Sequence, residues 1–184
     1  MIVLALAGIA VYANSLDGLR LLDDQRAIVE NTSIRQLSPL SGVLRPPRQM
    51  PVTGRPLVNL SFAVNYAFGE LKVEGYHIWN IGVHVLAALA LFGFLRITFA
   101  RMADRAVLGV TSERVGPLSL VCALAWVVHP LNSETVNYLT QRTESMMGLF
   151  YLTSLYGAAR AVRAGRAGVA RASGGGSWEL VAVL

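Results

Sequence analysis

The sequence has little charge. Only 15% of its 184 residues are Asp, Glu, Lys or Arg, whereas a soluble domain usually carries about 25%. Apolar residues make up 54% of the chain, and the mean hydropathy is +0.49. The charge is also unevenly spread, because several long stretches contain none. This pattern favours membrane segments over an unusually apolar soluble core.

The residues that several soluble-enzyme sites need are also missing. Cys122 is the only cysteine, so no disulfide can form within the chain, and its apolar surroundings indicate a small core residue. The sequence contains no Gly-rich phosphate loop, no zinc-ligand spacing and no nucleophile elbow. The common templates of soluble enzymes therefore do not explain this chain.

The basic residues are almost all arginine. The net charge is +5, and Lys72 is the only lysine among the sixteen basic residues. A basic balance can indicate nucleic-acid binding, but two groups of arginines fall in short loops after apolar runs. Placing both loops in the cytoplasm satisfies the positive-inside rule, so no nucleic acid is needed to explain the charge. The first group is Arg96, Arg101, Arg105 and Arg114, and the second is Arg160, Arg163, Arg166 and Arg171.

The apolar runs predict an all-α membrane protein, a polytopic helical bundle with a long outer loop that carries short helices. The first run is interpreted as a truncated transmembrane helix. A signal peptide is the alternative, although the expected positive n-region is absent. We interpret the chain as a piece of a longer protein, because apolar residues begin again at Val181. The predicted segments are 1–13, the first span; 14–76, the long outer loop; 77–97, the second span; 98–116, a cytoplasmic loop; 117–130, the third span; 131–144, a short outer loop; 145–160, the fourth span; and 161–184, a basic, Gly-rich cytoplasmic segment with the start of a further span.

Two adjacent acids, Asp23 and Asp24, follow the first apolar run. A carboxylate held near the membrane face could act as a general base, or it could bind a metal or an acceptor. Adjacent acids in a loop are more often simply solvated, and that alternative stays open here.

A second group of candidates lies in the short outer loop. Arg142 could bind a phosphate through paired hydrogen bonds, which suits a lipid-phosphate ligand. Glu134 and Glu144 could orient such a ligand, and His129 precedes them in the sequence. The structural alternative is a salt-bridged helix start, since an acid such as Glu144 is favourable in a first helical turn.

Three polar residues, His77, Asn80 and His84, are spaced to share one face of the second predicted span. Polar groups inside a span are costly and face protein or a watery cavity. Hydrogen bonding between helices is the main alternative to a catalytic role, and a transporter pathway is a further one.

The long outer loop contains a loop-to-helix signal at Arg55 and Pro56, because proline suits a first helical turn. Arg55 could pair with one of the acids or with an anionic ligand. The loop also holds two short matches to the N-glycosylation sequon, which begin at Asn31 and Asn59.

Taken in order, these motifs resemble the membrane domain of the transmembrane and tetratricopeptide-repeat (TMTC-type) protein O-mannosyltransferases and their bacterial relatives. The resemblance covers residues 12 to 160. The matching residues are Asp23-Asp24, Ile28, Asn31, Ile34, Gly54 to Phe62, Asn65-Tyr66, Gly75 to His77, Asn80, His84, His129 to Glu134, Val136 and Arg142 to Glu144.

The resemblance implies the N-terminal part of a multi-spanning GT-C glycosyltransferase that uses a polyprenyl- or dolichyl-phosphate-linked sugar and a protein acceptor. It implies an acidic motif in the first outer loop, matched by Asp23-Asp24, and an active-site contribution from Glu134, Arg142 and Glu144. The expected location is the bacterial inner membrane, with the active face outward. A divalent metal is left open. The alternative is a non-enzymatic membrane scaffold whose outer loop binds a partner. The chain departs from the family in having no helical repeats of about 34 residues.

Overall fold

A computed structural model describes the backbone of residues 1–173 and the side chains of residues 1–165. Every regular element within that part is helical, as the all-α fold class predicted. The Gly-rich part of the predicted 161–184 segment, and the start of a further span, lie outside the described residues.

Eight α-helices follow one another along the described part of the chain. They are α1 (Ile2–Tyr12), α2 (Leu22–Asp24), α3 (Leu40–Val43), α4 (Pro56–Gly69), α5 (Val73–Asp104), α6 (Ser112–Val127), α7 (Asn132–Asn137) and α8 (Arg142–Ser173). A π-helical turn, Gln25–Val29, continues α2, and short 3₁₀ turns lie at Ala13–Asp17, Thr32–Ile34, Val107–Gly109 and Leu139–Gln141. Helices therefore occupy each predicted span, with bounds shifted by a few residues or, for α8, by a longer extension.

Helices α1, α5 and α6 pack around a small apolar core. Leu4, Ala88 and Ala123 are completely buried there, together with Val127. Gly8 lets α1 approach closely, because a Cβ at this position would lie only 3.0 Å from a methyl of Val85 and 3.1 Å from one of Val127. Small residues at such contacts allow helix backbones to come together.

The contacts also fix the direction of each long helix. The start of α8 bonds to the first part of α5, through Arg142 and Asn80. Further along both helices, Arg101 donates to the carbonyl of Ala159. Helices α5 and α8 therefore run in parallel. Helices α1 and α6 run the opposite way, because their last residues, Tyr12 and Val127, both contact His84 in the first half of α5.

The segment predicted as a long polar loop has a core of its own. Its buried apolar side chains pack against Tyr76 at the start of α5 and Leu139 in the 3₁₀ turn before α8; they are Ala27, Ile28, Ile34, Val43, Val52, Val58, Phe62 and Ala63. Helix α4 begins with Pro56, as the sequence indicated. This segment is a folded cap at one end of the helices, and we call residues 14–72 the cap.

Helix α5 is long and apolar enough to cross a membrane, the only single helix among residues 1–173 that meets this test. Its 32 residues extend about 48 Å, more than the hydrocarbon core of about 30 Å. Ile2–Asp17 and Leu22–Val29, bent by 73° at their junction, also pass when taken as one span. The other predicted spans stay predictions.

Candidate functional site

Asp24 joins the cap to the segment before α8. Its side chain is completely buried. Oδ1 accepts a hydrogen bond from the backbone N–H of Thr140 at 2.8 Å and a second from the hydroxyl of the same residue. Oδ2 accepts from the backbone N–H of Leu21 at 2.9 Å. Both carboxylate oxygens are therefore engaged, which makes this residue an anchor between two distant segments.

Asp23 has a different environment from its neighbour. Its side chain is exposed, while its backbone N–H donates to the hydroxyl of Tyr138 at 3.0 Å. The backbone is thus fixed and the carboxylate is open to solvent. Of the two predicted acids, Asp23 is the one whose carboxylate can reach a ligand.

Arg142 lies fully buried where α4, α5 and α8 meet. Its Nε donates to Oδ1 of Asn80 at 2.8 Å, and its Nη2 to the carbonyl of Tyr76 at 2.9 Å. Its Nη1 donates to Oδ1 of Asn65 at 2.7 Å and to the hydroxyl of Ser61 at 3.2 Å. The sequence predicted a phosphate contact here, but each guanidinium nitrogen already bonds to a neutral protein acceptor.

Aromatic rings complete the surroundings of Arg142. Its guanidinium carbon lies 4.5 Å from the ring centre of Phe62 and 5.8 Å from that of Trp79. Such stacking stabilises a cation that is out of water. Burial lowers the pKa of Arg142 to about 9, so the side chain stays charged at neutral pH. We call Arg142 with Asn80, Asn65, Ser61 and the Tyr76 carbonyl the arginine node.

Asn80 and His84 are also buried and bond across helices. Besides accepting from Arg142, Asn80 donates through Nδ2 to the carbonyl of Val136 at 3.2 Å. A ring nitrogen of His84 lies 3.0 Å from the carbonyl of Val127. Both residues therefore form hydrogen bonds to other segments of the bundle, which is the alternative that the sequence left open.

His77 faces Gly18 at the edge of the cap. Its ring is buried, and within the described residues neither ring nitrogen has a hydrogen-bond partner. A Cβ on Gly18 would lie 2.9 Å from Nε2 of His77, so only glycine fits against this ring without a shift. His129, by contrast, is exposed, and its Nδ1 accepts from the N–H of Leu131.

The remaining predicted site residues are at the surface. Glu134 lies in the first turn of α7 and Glu144 in the first turn of α8, and both are exposed. Arg55 is exposed too and donates to the carbonyl of Pro51 at 3.1 Å. Glu144 lies in a first helical turn, as the alternative of a salt-bridged helix start predicted. Within the described residues, no salt bridge to Glu144 is found.

Asn31 and Asn59, the first residues of the two sequons, form a buried network inside the cap. Both side chains are completely buried, and Nδ2 of Asn31 donates to Oδ1 of Asn59 at 2.8 Å. Asn59 donates in turn to the carbonyl of Val43 at 2.6 Å and to the hydroxyl of Ser33 at 2.9 Å. The two residues hold the cap together, so neither is open to modification in the folded chain.

Sequence reasoning missed Thr140 and Tyr138, which hold the two acids. Their place in the sequence could have indicated them, because Tyr138 and Thr140 lie between the two predicted site residues Glu134 and Arg142. Within the described residues, no group of three or more His, Cys, Asp or Glu side chains is placed to bind a metal ion.

Comparison with known proteins gives three informative relatives. Protein O-mannosyl-transferase TMTC4 of Homo sapiens is 28% identical over 171 residues, which are 88% of this chain and 23% of that protein. Protein O-mannosyl-transferase tmtc2 of Xenopus laevis is 31% identical over 156 residues, 80% of this chain and 17% of that protein. Protein O-mannosyl-transferase Tmtc3 of Drosophila melanogaster is 28% identical over 173 residues, 86% of this chain and 19% of that protein.

The chain is related to the TMTC-type family. The resemblance predicted from the ordered motifs is thereby confirmed. The chain spans about a fifth of the length of the curated relatives it matches. No protein-family model matches it, and no solved structure does.

Proposed function

We propose that this chain is the N-terminal part of the membrane domain of a glycosyltransferase, a polytopic GT-C-like bundle in a bacterial inner membrane. The enzyme transfers a mannose-like sugar from a polyprenyl-phosphate donor to a protein hydroxyl on the outer face. Its relatives are named protein O-mannosyl-transferases. The observation that carries the proposal is the pair of acids, one anchored by Thr140 and the other exposed beside Tyr138.

In the proposed reaction, Asp23 is the general base. Its carboxylate accepts the proton of the acceptor hydroxyl while the hydroxyl oxygen attacks the anomeric carbon of the sugar. The bond from that carbon to the phosphate oxygen breaks, and polyprenyl phosphate leaves with the electron pair. Asp24 acts through position alone, because its two oxygens are already bonded and hold the backbone of Asp23 in place.

The leaving phosphate needs a cation near its developing charge. Arg55 is the exposed arginine among the predicted site residues and supplies the proposed contact. Glu134 and Glu144, exposed on the other outer segment, are the proposed residues that orient donor or acceptor. Arg142 serves this site as a positioning residue, because its donors hold α4 and α5 against the start of α8.

Substitution of each acid in the full-length protein tests whether Asp23 is the base and Asp24 the anchor. We expect Asp23→Asn to abolish sugar transfer from a radiolabelled polyprenyl-phosphate sugar to an acceptor peptide while the melting temperature stays unchanged. We expect Asp24→Asn to lower both transfer and melting temperature. The matched control is Asp17→Asn, an exposed acid of the same cap, which should keep both.

Two results would contradict the proposal. Full transfer by the Asp23→Asn protein would remove the assigned base. Absence of transfer by the unsubstituted protein, with several polyprenyl-phosphate sugars and with Mg²⁺ or Mn²⁺ added, would favour the scaffold interpretation instead.

A further inference from the structure

A cavity lies far from the two acids, toward the other end of the helices. It has a volume of about 890 Å³ and lies among α5, α6 and α8. Arg142 and Asn80 mark the cap end of α8 and α5. At about 1.5 Å per residue, Arg96 lies about 24 Å further along α5 than Asn80. The two sites are thus separated by most of a hydrocarbon core of about 30 Å. We call this cavity the arginine groove.

The walls of the arginine groove are apolar. Leu89 and Phe92 from α5 and Val115 from α6 line it, together with Ile97. Gly93 keeps it open toward α8, because a Cβ there would lie 2.8 Å from the ring of Tyr156. A cavity with walls of this kind accepts hydrocarbon rather than a fully polar ligand.

Three arginines line the same cavity: Arg96, Arg160 and Arg163. All three side chains are exposed. The guanidinium carbons of Arg96 and Arg160 lie 5.8 Å from the ring centres of Phe92 and Tyr156, respectively. The described lining of the groove includes no acidic side chain that would neutralise them. The groove therefore combines an apolar interior with a net positive charge among its described lining residues.

That combination selects one class of occupant. An apolar helix, from a second copy or from another part of the protein, would cover the walls but would make no charged contact with the three guanidinium groups. A free anion would pair with the arginines and leave the apolar walls exposed. A glycerophospholipid with net negative charge satisfies both parts, because its phosphate pairs with guanidinium groups and its acyl chain fills apolar space.

We propose that the arginine groove binds one anionic glycerophospholipid. The phosphate lies between Arg160, Arg163 and Arg96, and one acyl chain runs along Leu89, Phe92 and Ile97. The inference rests on the membrane placement proposed above but not on sugar transfer, since the groove is remote from the two acids. It assigns the groove a ligand distinct from the sugar donor.

Lipid binding by the full-length protein in nonionic detergent tests the proposal. The probes are radiolabelled phosphatidylglycerol, which is anionic, and phosphatidylcholine, which has no net charge. We expect saturable binding of the first at one molecule per chain and at least about tenfold weaker binding of the second.

The decisive variants are two arginine pairs with the same change in charge. Arg160→Gln with Arg163→Gln removes groove arginines, and we expect phosphatidylglycerol binding to weaken about tenfold or more. Arg105→Gln with Arg114→Gln removes two exposed arginines from the same end of the helices that do not line the groove. We expect this control pair to change binding by less than about twofold, because long-range charge effects are screened.

A third variant tests the apolar half of the site. Ala100→Trp fills part of the groove and keeps all three arginines, and we expect it to weaken phosphatidylglycerol binding as strongly as the groove pair does. If its melting temperature shows that it fails to fold, Ala90→Phe takes its place, because Ala90 lines the same cavity.

Each contrary result overturns the proposal. Equal weakening by the two arginine pairs would show general charge attraction. Unchanged phosphatidylglycerol binding in a folded, groove-filling variant would show that the acyl chain does not lie in the groove. Absence of binding by the unsubstituted protein would overturn the lipid site and favour an apolar helix as the occupant. If the protein binds phosphatidylglycerol but transfers no sugar, the lipid site is supported and the proposed enzyme activity is contradicted.

Discussion

Thr140 holds Asp24 across a separation of 116 positions in the chain. Its backbone N–H and its hydroxyl both donate to the same carboxylate oxygen, Oδ1. Because the other oxygen accepts from Leu21, the buried carboxylate bonds to both the cap and the turn before α8. This contact turns two adjacent acids into an anchor, Asp24, and a free carboxylate, Asp23.

We expect Thr140→Val to destabilise the protein by about 1.5–3 kcal/mol, because it removes a hydrogen bond to a buried charged group and keeps the side-chain shape. Thermal or denaturant unfolding of the detergent-solubilised protein measures the change. Thr153→Val is the matched control, since that hydroxyl is exposed and bonds within its own helix. Its effect should stay below about 0.5 kcal/mol. Equal losses from the two substitutions would remove the anchor role of Thr140.

The arginine node gives a prediction about charge and shape. We expect Arg142→Lys to destabilise the protein by about 3 kcal/mol or more, although the charge is kept. A lysine has no planar fork of donors, so several of the buried acceptors of Arg142 lose their partners. Unfolding temperature and the yield of monodisperse protein measure the loss. Arg55→Lys, at an exposed position, is the comparison, and a similar melting temperature for both variants would contradict the node.

Adding a methyl group at two glycines should change the stability of the protein in opposite directions, because only one of them lies in the close contact of α1. We expect Gly8→Ala to destabilise by roughly 1–3 kcal/mol, because the added methyl meets two stiff valine side chains. At Gly82, on α5, an added Cβ would have no neighbouring side chain within 4 Å. We expect Gly82→Ala to stabilise by about 0.5–1 kcal/mol, since alanine is the better helix former. Unfolding measurements on the two variants decide the matter, and stabilisation by both would mean that α1 does not dock here.

Burial of the two sequon asparagines gives a prediction about modification. We expect no glycan at Asn31 or Asn59 when the protein is made in a glycosylating host, because both side chains are enclosed. Treatment with an endoglycosidase should leave the electrophoretic mobility unchanged.

We further expect Asn59→Ala to destabilise the cap by about 1–3 kcal/mol, because Asn31 and the carbonyl of Val43 lose their partner. A mobility shift that Asn59→Ala removes would refute the buried network.

The helices were largely predictable from the sequence, because apolar runs and the proline at Pro56 are local signals. The cap was not, since its core joins residues as distant as Ile28 and Leu139 and shows no regular period. For the candidate site, the sequence singled out Asp24 and Arg142 but not their contacts. The same arginine can bind a phosphate or a set of amide and carbonyl oxygens, and only the fold decides which acceptors reach it.

The arginine node also has a consequence for how the chain is made. Synthesis delivers Ser61, Asn65 and Asn80 well before Arg142, the residue that bonds to all three. Until α8 emerges from the ribosome, these polar groups on α4 and α5 have no cation between them. The cap and α5 therefore cannot complete their packing alone, and the cap joins the bundle only after the start of α8 has been made.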